Sequence, residues 1–137
     1  MTPTRAFVAL GSNLGDRAAR LGQAREGLAA TPGVVIEAVS TVSETAPLGG
    51  LDQPHYLNQM ARVNTVLGAR ELLAACHAVE RAAGRERRAK WSSRTLDLDL
   101  VRYDDLLCDL PDLTLPHAGL RDRVFWMEQI AELETHG

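Results

Sequence analysis

Between residues 96 and 100 the chain alternates without a break: Leu96, Asp97, Leu98, Asp99, Leu100. A strand's period of two sends the three leucines to one face and the two aspartates to the other, so one face reads as core and the other carries a carboxylate pair. Same-face neighbours along a strand lie roughly 6.5 to 7 Å apart. Two carboxylates that converge on one site repel each other at neutral pH unless cations sit between them. Oxygen-only ligands favour Mg²⁺ or Mn²⁺ over zinc, and Mg²⁺ usually takes one or two protein carboxylates and completes its shell with water and phosphate oxygens. The pattern points to a divalent metal with a nucleotide as third partner. An edge strand with a solvated acidic face has the same pattern, and the two aspartates alone do not choose between the readings.

The preceding segment, residues 84–94, carries Arg85, Arg87, Arg88, Lys90 and Arg94 against the single acid Glu86, in a chain whose formal net charge is -3. The positive charge is therefore local. Basic side chains that lead straight into a carboxylate pair suit a shared polyanion, with arginines gripping phosphate oxygens bidentately. A solvated basic loop is the plainer reading of the run by itself; its place beside Asp97 and Asp99 favours phosphate.

At 137 residues the chain fits one domain, residues 1–137, with a real core. Its 45% hydrophobic and 24% charged residues are ordinary for a soluble globular protein. Cys76 and Cys108 are the two cysteines and neither is in a CxxC spacing, so no disulfide scaffold is indicated and a reducing compartment is the simpler inference. No signal peptide and no apolar run near the roughly 20 residues of a membrane span can be read, so a cytoplasmic protein is expected.

Residues 5–10 read as a short buried strand entering the turn Gly11-Ser12-Asn13-Leu14-Gly15-Asp16. Asp16 is placed to cap a helix carrying Leu21, Ala24 and Leu28 at helical spacing up to a stop at Thr31-Pro32-Gly33. Those glycines would let backbone approach a ligand, but a turn needs glycine anyway. Residues 34–43 have the β-branched content of a second strand. A long irregular connection, residues 44–54, holds two prolines and two glycines, the kind of loop that is usually functional or disordered. The third strand opens on His55-Tyr56-Leu57-Asn58 and runs to about residue 67. Tyr56 and Asn58 supply the aromatic plane and the amide that a flat heterocycle needs, although core and loop-cap roles are the simpler readings of each alone. Residues 69–83 form the clearest helix, with an apolar stripe of Leu72, Leu73, Cys76, Val79 and Ala83 and Gly84 as its stop; Glu80 lies on it near the basic loop. After the aspartate strand, residues 109–117 read as a proline-broken loop and residues 120–133 as an amphipathic tail.

The order strand, helix, strand, strand, helix, strand, helical tail predicts an α+β fold. It is the ferredoxin-like split βαβ plan: a four-stranded antiparallel sheet with two helices on one face plus a C-terminal helical segment. The second and fourth strands should lie at the edges, with the other face of the sheet free.

Several segments together carry a resemblance: Gly11-Ser12-Asn13-Leu14-Gly15; Glu44-Thr45-Ala46-Pro47-Leu48-Gly49; residues 52–58; Gly84-Arg85; residues 94–99; Leu113-Thr114-Leu115-Pro116-His117; and Arg123-Val124-Phe125. In this order, over nearly the whole chain, the sequence resembles the 6-hydroxymethyl-7,8-dihydropterin pyrophosphokinase family of folate biosynthesis. The resemblance implies transfer of pyrophosphate from ATP to the pterin hydroxymethyl oxygen, with release of AMP. It implies two Mg²⁺ ions on Asp97 and Asp99, and places Arg85 and Arg94 with those aspartates as catalytic residues. Arg85, Arg87, Lys90, Arg94, Leu100, Thr114, His117 and Arg123 would bind ATP. Thr45, Leu48, Tyr56, Asn58, Trp91 and Phe125 would bind the pterin, Tyr56 and Phe125 on either side of its ring. A monomer that binds neither nucleic acid nor membrane is expected. Ser92-Ser93 stand where the family commonly has Gly-Pro, Ala46 where proline is frequent and Ala118 where a larger residue is common; none of these is a metal ligand.

Two other classes fit parts of the pattern. A metal-dependent nucleotidyl transferase or cyclase would share the paired aspartates, but not the pterin-pocket residues. An RNA-binding module would want aromatics on its sheet and a basic face, whereas only 4% of residues here are aromatic and aspartates occupy the face.

Overall fold

A computed structural model describes residues 2–13, 15–46, 55–84 and 96–135. Five strands form one antiparallel sheet: β1 (Thr4–Ser12), β2 (Val34–Val39), β3 (Ser43–Thr45), β4 (Tyr56–Thr65) and β5 (Asp97–Tyr103). The order is β2-β4-β1-β5, with β3 pairing β4 beyond the end of β2. The first and third strands read from sequence are thus central and the second and fourth lie at the edges, as expected. The expected second strand, residues 34–43, is broken: β2 and β3 flank a gap in which Ser40 still donates its N–H to Met60 O and accepts the Met60 N–H on its hydroxyl.

One face of the sheet packs against α1 (Arg17–Ala30) and α2 (Ala69–Gly84). Ala6, Val8 and Leu10 of β1, Ala61 and Val63 of β4, and Leu96, Leu98 and Leu100 meet Leu21, Ala24 and Leu28 of α1 and Leu72, Cys76 and Val79 of α2. Each leucine so buried contributes roughly 1.5–3 kcal/mol relative to exposure. The apolar stripes read from the sequence are the stripes that face this core. Asp16 caps α1, its carboxylate accepting the Ala19 N–H at 3.1 Å.

The second face is not free. Helix α3 (Val124–Thr135), preceded by a 3-10 turn at Leu120–Asp122, lays Trp126, Ile130 and Leu133 on Phe7, Ala9, Met60 and Val101. A bulge makes this possible. Val8 pairs with Leu100 but Phe7 pairs with Arg102, so Val101 is an extra residue on β5. The strict alternation ends there, and both Val101 and Arg102 serve the second face, with the Arg102 guanidinium 5.4 Å from the Phe7 ring centroid. Polar ties add to the apolar contact. Buried Arg62 donates to Leu133 O at 2.6 Å, where a cation complements the carbonyl end of the helix, and Glu132 accepts both the N–H and the hydroxyl of Thr41.

Residues 109–117, expected as loop, contain part of a second small sheet: β6 (Cys108–Leu110) pairs antiparallel with β7 (Leu113–Leu115). Its inward residues Leu113 and Leu115 join the main core. Among the described residues no helix is long and apolar enough to cross a membrane.

Candidate functional site

The register of the sheet assembles the site. Ser43 pairs with Asn58, Asn58 with Gly11 and Gly11 with Asp97, so one row crosses four strands on the α3 side. The next row is Met60, Ala9, Asp99. Two inter-strand spacings separate Asn58 from Asp97, roughly 9.5 Å. Only glycine stands between them. A Cβ on Gly11 would lie 3.5 Å from Asn58 Oδ1 and 3.9 Å from Tyr56 Cδ1, in ordinary contact. The glycine therefore leaves a floor open and relieves no clash.

At the β4 end, Asn58 Nδ2 donates to Thr45 Oγ1 at 2.7 Å and its main-chain oxygen accepts Gln129 Nε2 at 3.1 Å. The side-chain amide is thus oriented from β3, while α3 holds the Asn58 backbone. Thr45 pairs with Tyr56 in the neighbouring row. Tyr56 is half-buried and lies on the same face as Asn58. Phe125, in the first turn of α3, is half-buried against the second core. Arg17 links β3 to the start of β4, donating to Glu44 Oε2 at 2.8 Å and to His55 O at 2.7 Å. Its guanidinium holds the Glu44 carboxyl below the usual carboxylate range.

At the β5 end, Asp97 and Asp99 share the face expected of them, while Leu98 and Leu100 are buried in the opposite core. Leu100 is 3% exposed, so only its backbone faces outward. Leu98, between the aspartates, sits on an edge strand, and Glu80 of α2 accepts its N–H at 2.8 Å. That bond ties the edge strand to the helix beneath it. His117 Nε2 lies 3.6 Å from Asp99 Oδ1, and His117 Nδ1 accepts the Gly119 N–H at 2.9 Å. The imidazole is therefore oriented with Nε2 toward the aspartate. Arg123 donates to Gly119 O at 3.2 Å, so the backbone of one glycine holds both basic side chains. Thr114 is exposed on β7.

The donor set fits Mg²⁺. It is oxygen-only, on one face, and the Asp99 side chain is 43% exposed. Among the described residues no group of three or more His, Cys, Asp and Glu forms a ready-made metal cage. A pair of carboxylates is the protein share usual for an ion that also binds phosphate and water.

The structure thus brings together Thr45, Tyr56, Asn58, Asp97, Asp99, His117 and Arg123 on or beside one face. Leu48, Arg85, Arg87, Lys90, Trp91 and Arg94 lie outside the described residues, as do Ser92 and Ser93. Sequence reasoning missed Gln129, Ser43, Gly119 and Trp126. Gln129 carried a signal: it is a polar residue at a position in step with Trp126 and Leu133 on the buried face of α3.

The sequence pattern of the family described as 7,8-dihydro-6-hydroxymethylpterin-pyrophosphokinase matches residues 7–135. A protein of Methylorubrum extorquens named 2-amino-4-hydroxy-6-hydroxymethyldihydropteridine pyrophosphokinase is 41% identical over 130 residues, covering 95% of this chain and 82% of its own. Proteins of the same name from Pseudomonas aeruginosa and Bacillus subtilis are 38% and 36% identical, each over more than nine-tenths of this chain, 80% and 77% of their own lengths being covered.

Proposed function

Since the chain belongs to the 7,8-dihydro-6-hydroxymethylpterin-pyrophosphokinase family and is an ATP-dependent pyrophosphokinase, we propose that it transfers the β,γ-pyrophosphoryl group of ATP to the hydroxymethyl oxygen of 6-hydroxymethyl-7,8-dihydropterin. The single observation that carries this reading is the row Asn58, Gly11, Asp97. It sets an oriented amide and a carboxylate at the two ends of a side-chain-free floor, a span suited to a flat heterocycle whose reactive arm points toward a metal-bound phosphate.

In the reaction the hydroxymethyl oxygen attacks the β-phosphorus of ATP and gives up its proton to water, the bond from that phosphorus to the α–β bridging oxygen breaks, and AMP leaves with that oxygen. The transfer is direct, with no covalent intermediate on the protein, so positioning and charge neutralisation are what the site must supply. Asn58, held by Thr45, presents its amide to the polar edge of the pterin, together with the backbone at Leu48. Tyr56 and Phe125 take its faces, and Trp91 closes over it. Asp97 and Asp99 would hold two Mg²⁺ ions, which when bound neutralise phosphate charge and align the attacking and leaving oxygens. Arg85, Arg87, Lys90, Arg94, His117 and Arg123 bind the phosphate chain, assisted by Thr114 and the backbone of Leu100. Exclusion of water by residues 85–94 protects ATP from hydrolysis. We further propose a single domain over residues 1–137, acting in folate biosynthesis as a cytoplasmic monomer that binds neither nucleic acid nor membrane.

The test is AMP release from ATP and Mg²⁺ with and without 6-hydroxymethyl-7,8-dihydropterin. AMP that appears only with the pterin is the expected result. AMP released equally without it would replace this reading with nucleotidyl transfer or hydrolysis, and no AMP from folded protein would mark a non-catalytic member.

A further inference from the structure

Trp126 lies at the point where the two basic side chains on the α3 side of the aspartates meet. The Arg123 guanidinium carbon sits 4.7 Å from the indole centroid, and the His117 ring meets the indole edge-to-face with centroids 5.1 Å apart and planes at 89°. Trp126 itself is 4% exposed and anchored among Phe7, Ala9, Met60 and Val101 of the second core. It does not offer a surface to ligand. Its ring is instead a buried wall against which the Arg123 and His117 side chains rest.

We infer that Trp126 is the positioning residue of the phosphate end of the site: it fixes Arg123 and His117 in the arrangement that receives the ATP phosphate chain. The inference rests on the assignment of those two residues to ATP made above. An arginine is a long side chain whose freedom must be lost on binding, and a cation held over an aromatic face has lost part of it beforehand. Gly119 completes the arrangement from the other side, donating to His117 Nδ1 and accepting from Arg123. A Cβ at residue 119 would run into the Arg123 guanidinium and press on His117 Nδ1 at 3.2 Å, so the two restraints share one small space.

Affinity for Mg²⁺ with α,β-methylene-ATP, whose bridging carbon blocks the cleaved bond, tests this by calorimetry in a double-mutant cycle on the full chain. Trp126→Leu is expected to weaken nucleotide binding about tenfold and Trp126→Phe about threefold, the span of a cation–π contact. In an Arg123→Met background Trp126→Leu should weaken it further by only about threefold, the share of its effect that runs through His117. Pterin affinity should change by less than about twofold. A purely structural tryptophan gives the opposite result: effects that multiply in the double variant, or equal losses for pterin and nucleotide, and either one overturns the inference. Circular dichroism checks folding of each variant, and Trp126→Phe carries the cycle if the leucine variant fails to fold. Wild-type nucleotide affinity in Arg123→Met would instead sink the ATP assignment of Arg123, and the platform role with it.

Discussion

Gly11 is the residue on which the two halves of the site depend, because it is the only side-chain-free position in a row that runs from Ser43 to Asp97. Gly11→Val should leave folding intact, since valine favours strands, yet reduce pterin affinity by about tenfold or more by filling the floor beside Asn58 and Tyr56. Titration calorimetry with the pterin checks it, and unchanged affinity would remove the floor from the argument. Asp97→Ala separates function from stability more sharply. Asp97 belongs to neither apolar core, so the variant should still fold while AMP release falls by about a thousandfold, the scale on which an electrostatic contribution to a transition state is lost. A variant with near-normal turnover would end the metal assignment. What could be read of the site at this scale was the chemistry of single residues: the acidic face of residues 97 and 99, the amide of Asn58, the ring of Tyr56. Gln129 and Trp126 escaped because their roles depend on which face of the sheet α3 covers, a fact with no local signature.

Edge strand β5 and helix α3 are the elements that carry the site, and polar contacts help tie each of them to the rest of the fold. The Leu98 N–H is bonded to Glu80 in place of a further strand. Glu80→Ala should destabilise the fold by about 1–2 kcal/mol, the cost of a lost partner for a partly buried N–H, and weaken Mn²⁺–nucleotide binding because the aspartates flank that bond. Glu80→Gln, which keeps an acceptor oxygen, should recover most of the affinity. Equal metal binding in all three proteins would confine Glu80 to stability. For α3 the corresponding contact is Arg62. Its Nη1 donates to Leu133 O, and its Nε stands 3.2 Å from Glu37 Oε1, an ion pair by distance without the angle of a hydrogen bond. Arg62→Met should cost about 3 kcal/mol in urea unfolding, as expected when one member of a buried charged network is removed. A loss below about 1 kcal/mol would show that the apolar contact holds the helix alone.

Across the whole molecule the main core also shapes the response to alkali. Burial, reinforced by the nearby Glu80 and Asp99 charges, pushes the Cys76 thiol from its ordinary 9.0 up to about 12. Between those values the unfolded chain has released this proton while the folded chain still holds it. The unfolded state thus binds fewer protons there, and stability falls as pH rises from about 9 toward 12. Cys76→Ala should flatten that decline while lowering stability at neutral pH by about 1–2 kcal/mol for the cavity. Denaturant midpoints at pH 7 and pH 10 measure both effects; an unchanged alkaline slope would mean that Cys76 does not govern it.

The sequence by itself determined the strands and helices with strong periodicity, the Asp16 cap, the edge positions of the second and fourth strands and the sidedness of the aspartate strand. Each of these depends on local rules, namely a period of two or 3.6, a capping carboxylate, or the sheet order that goes with alternating strands and helices. Tertiary structure decided the rest. It placed α3 over a face that looked free, split the second strand at Ser40, and made residues 108–115 a hairpin. It also inserted Val101 as a bulge that turns Arg102 toward Phe7. The placement of α3 comes from contacts between residues far apart in the chain, such as Thr41 with Glu132 and Arg62 with Leu133, whose energies exist only once the sheet has brought them within reach. The row that unites Asn58 with Asp97 is of this kind, because register between strands is a property of their pairing and of no strand alone.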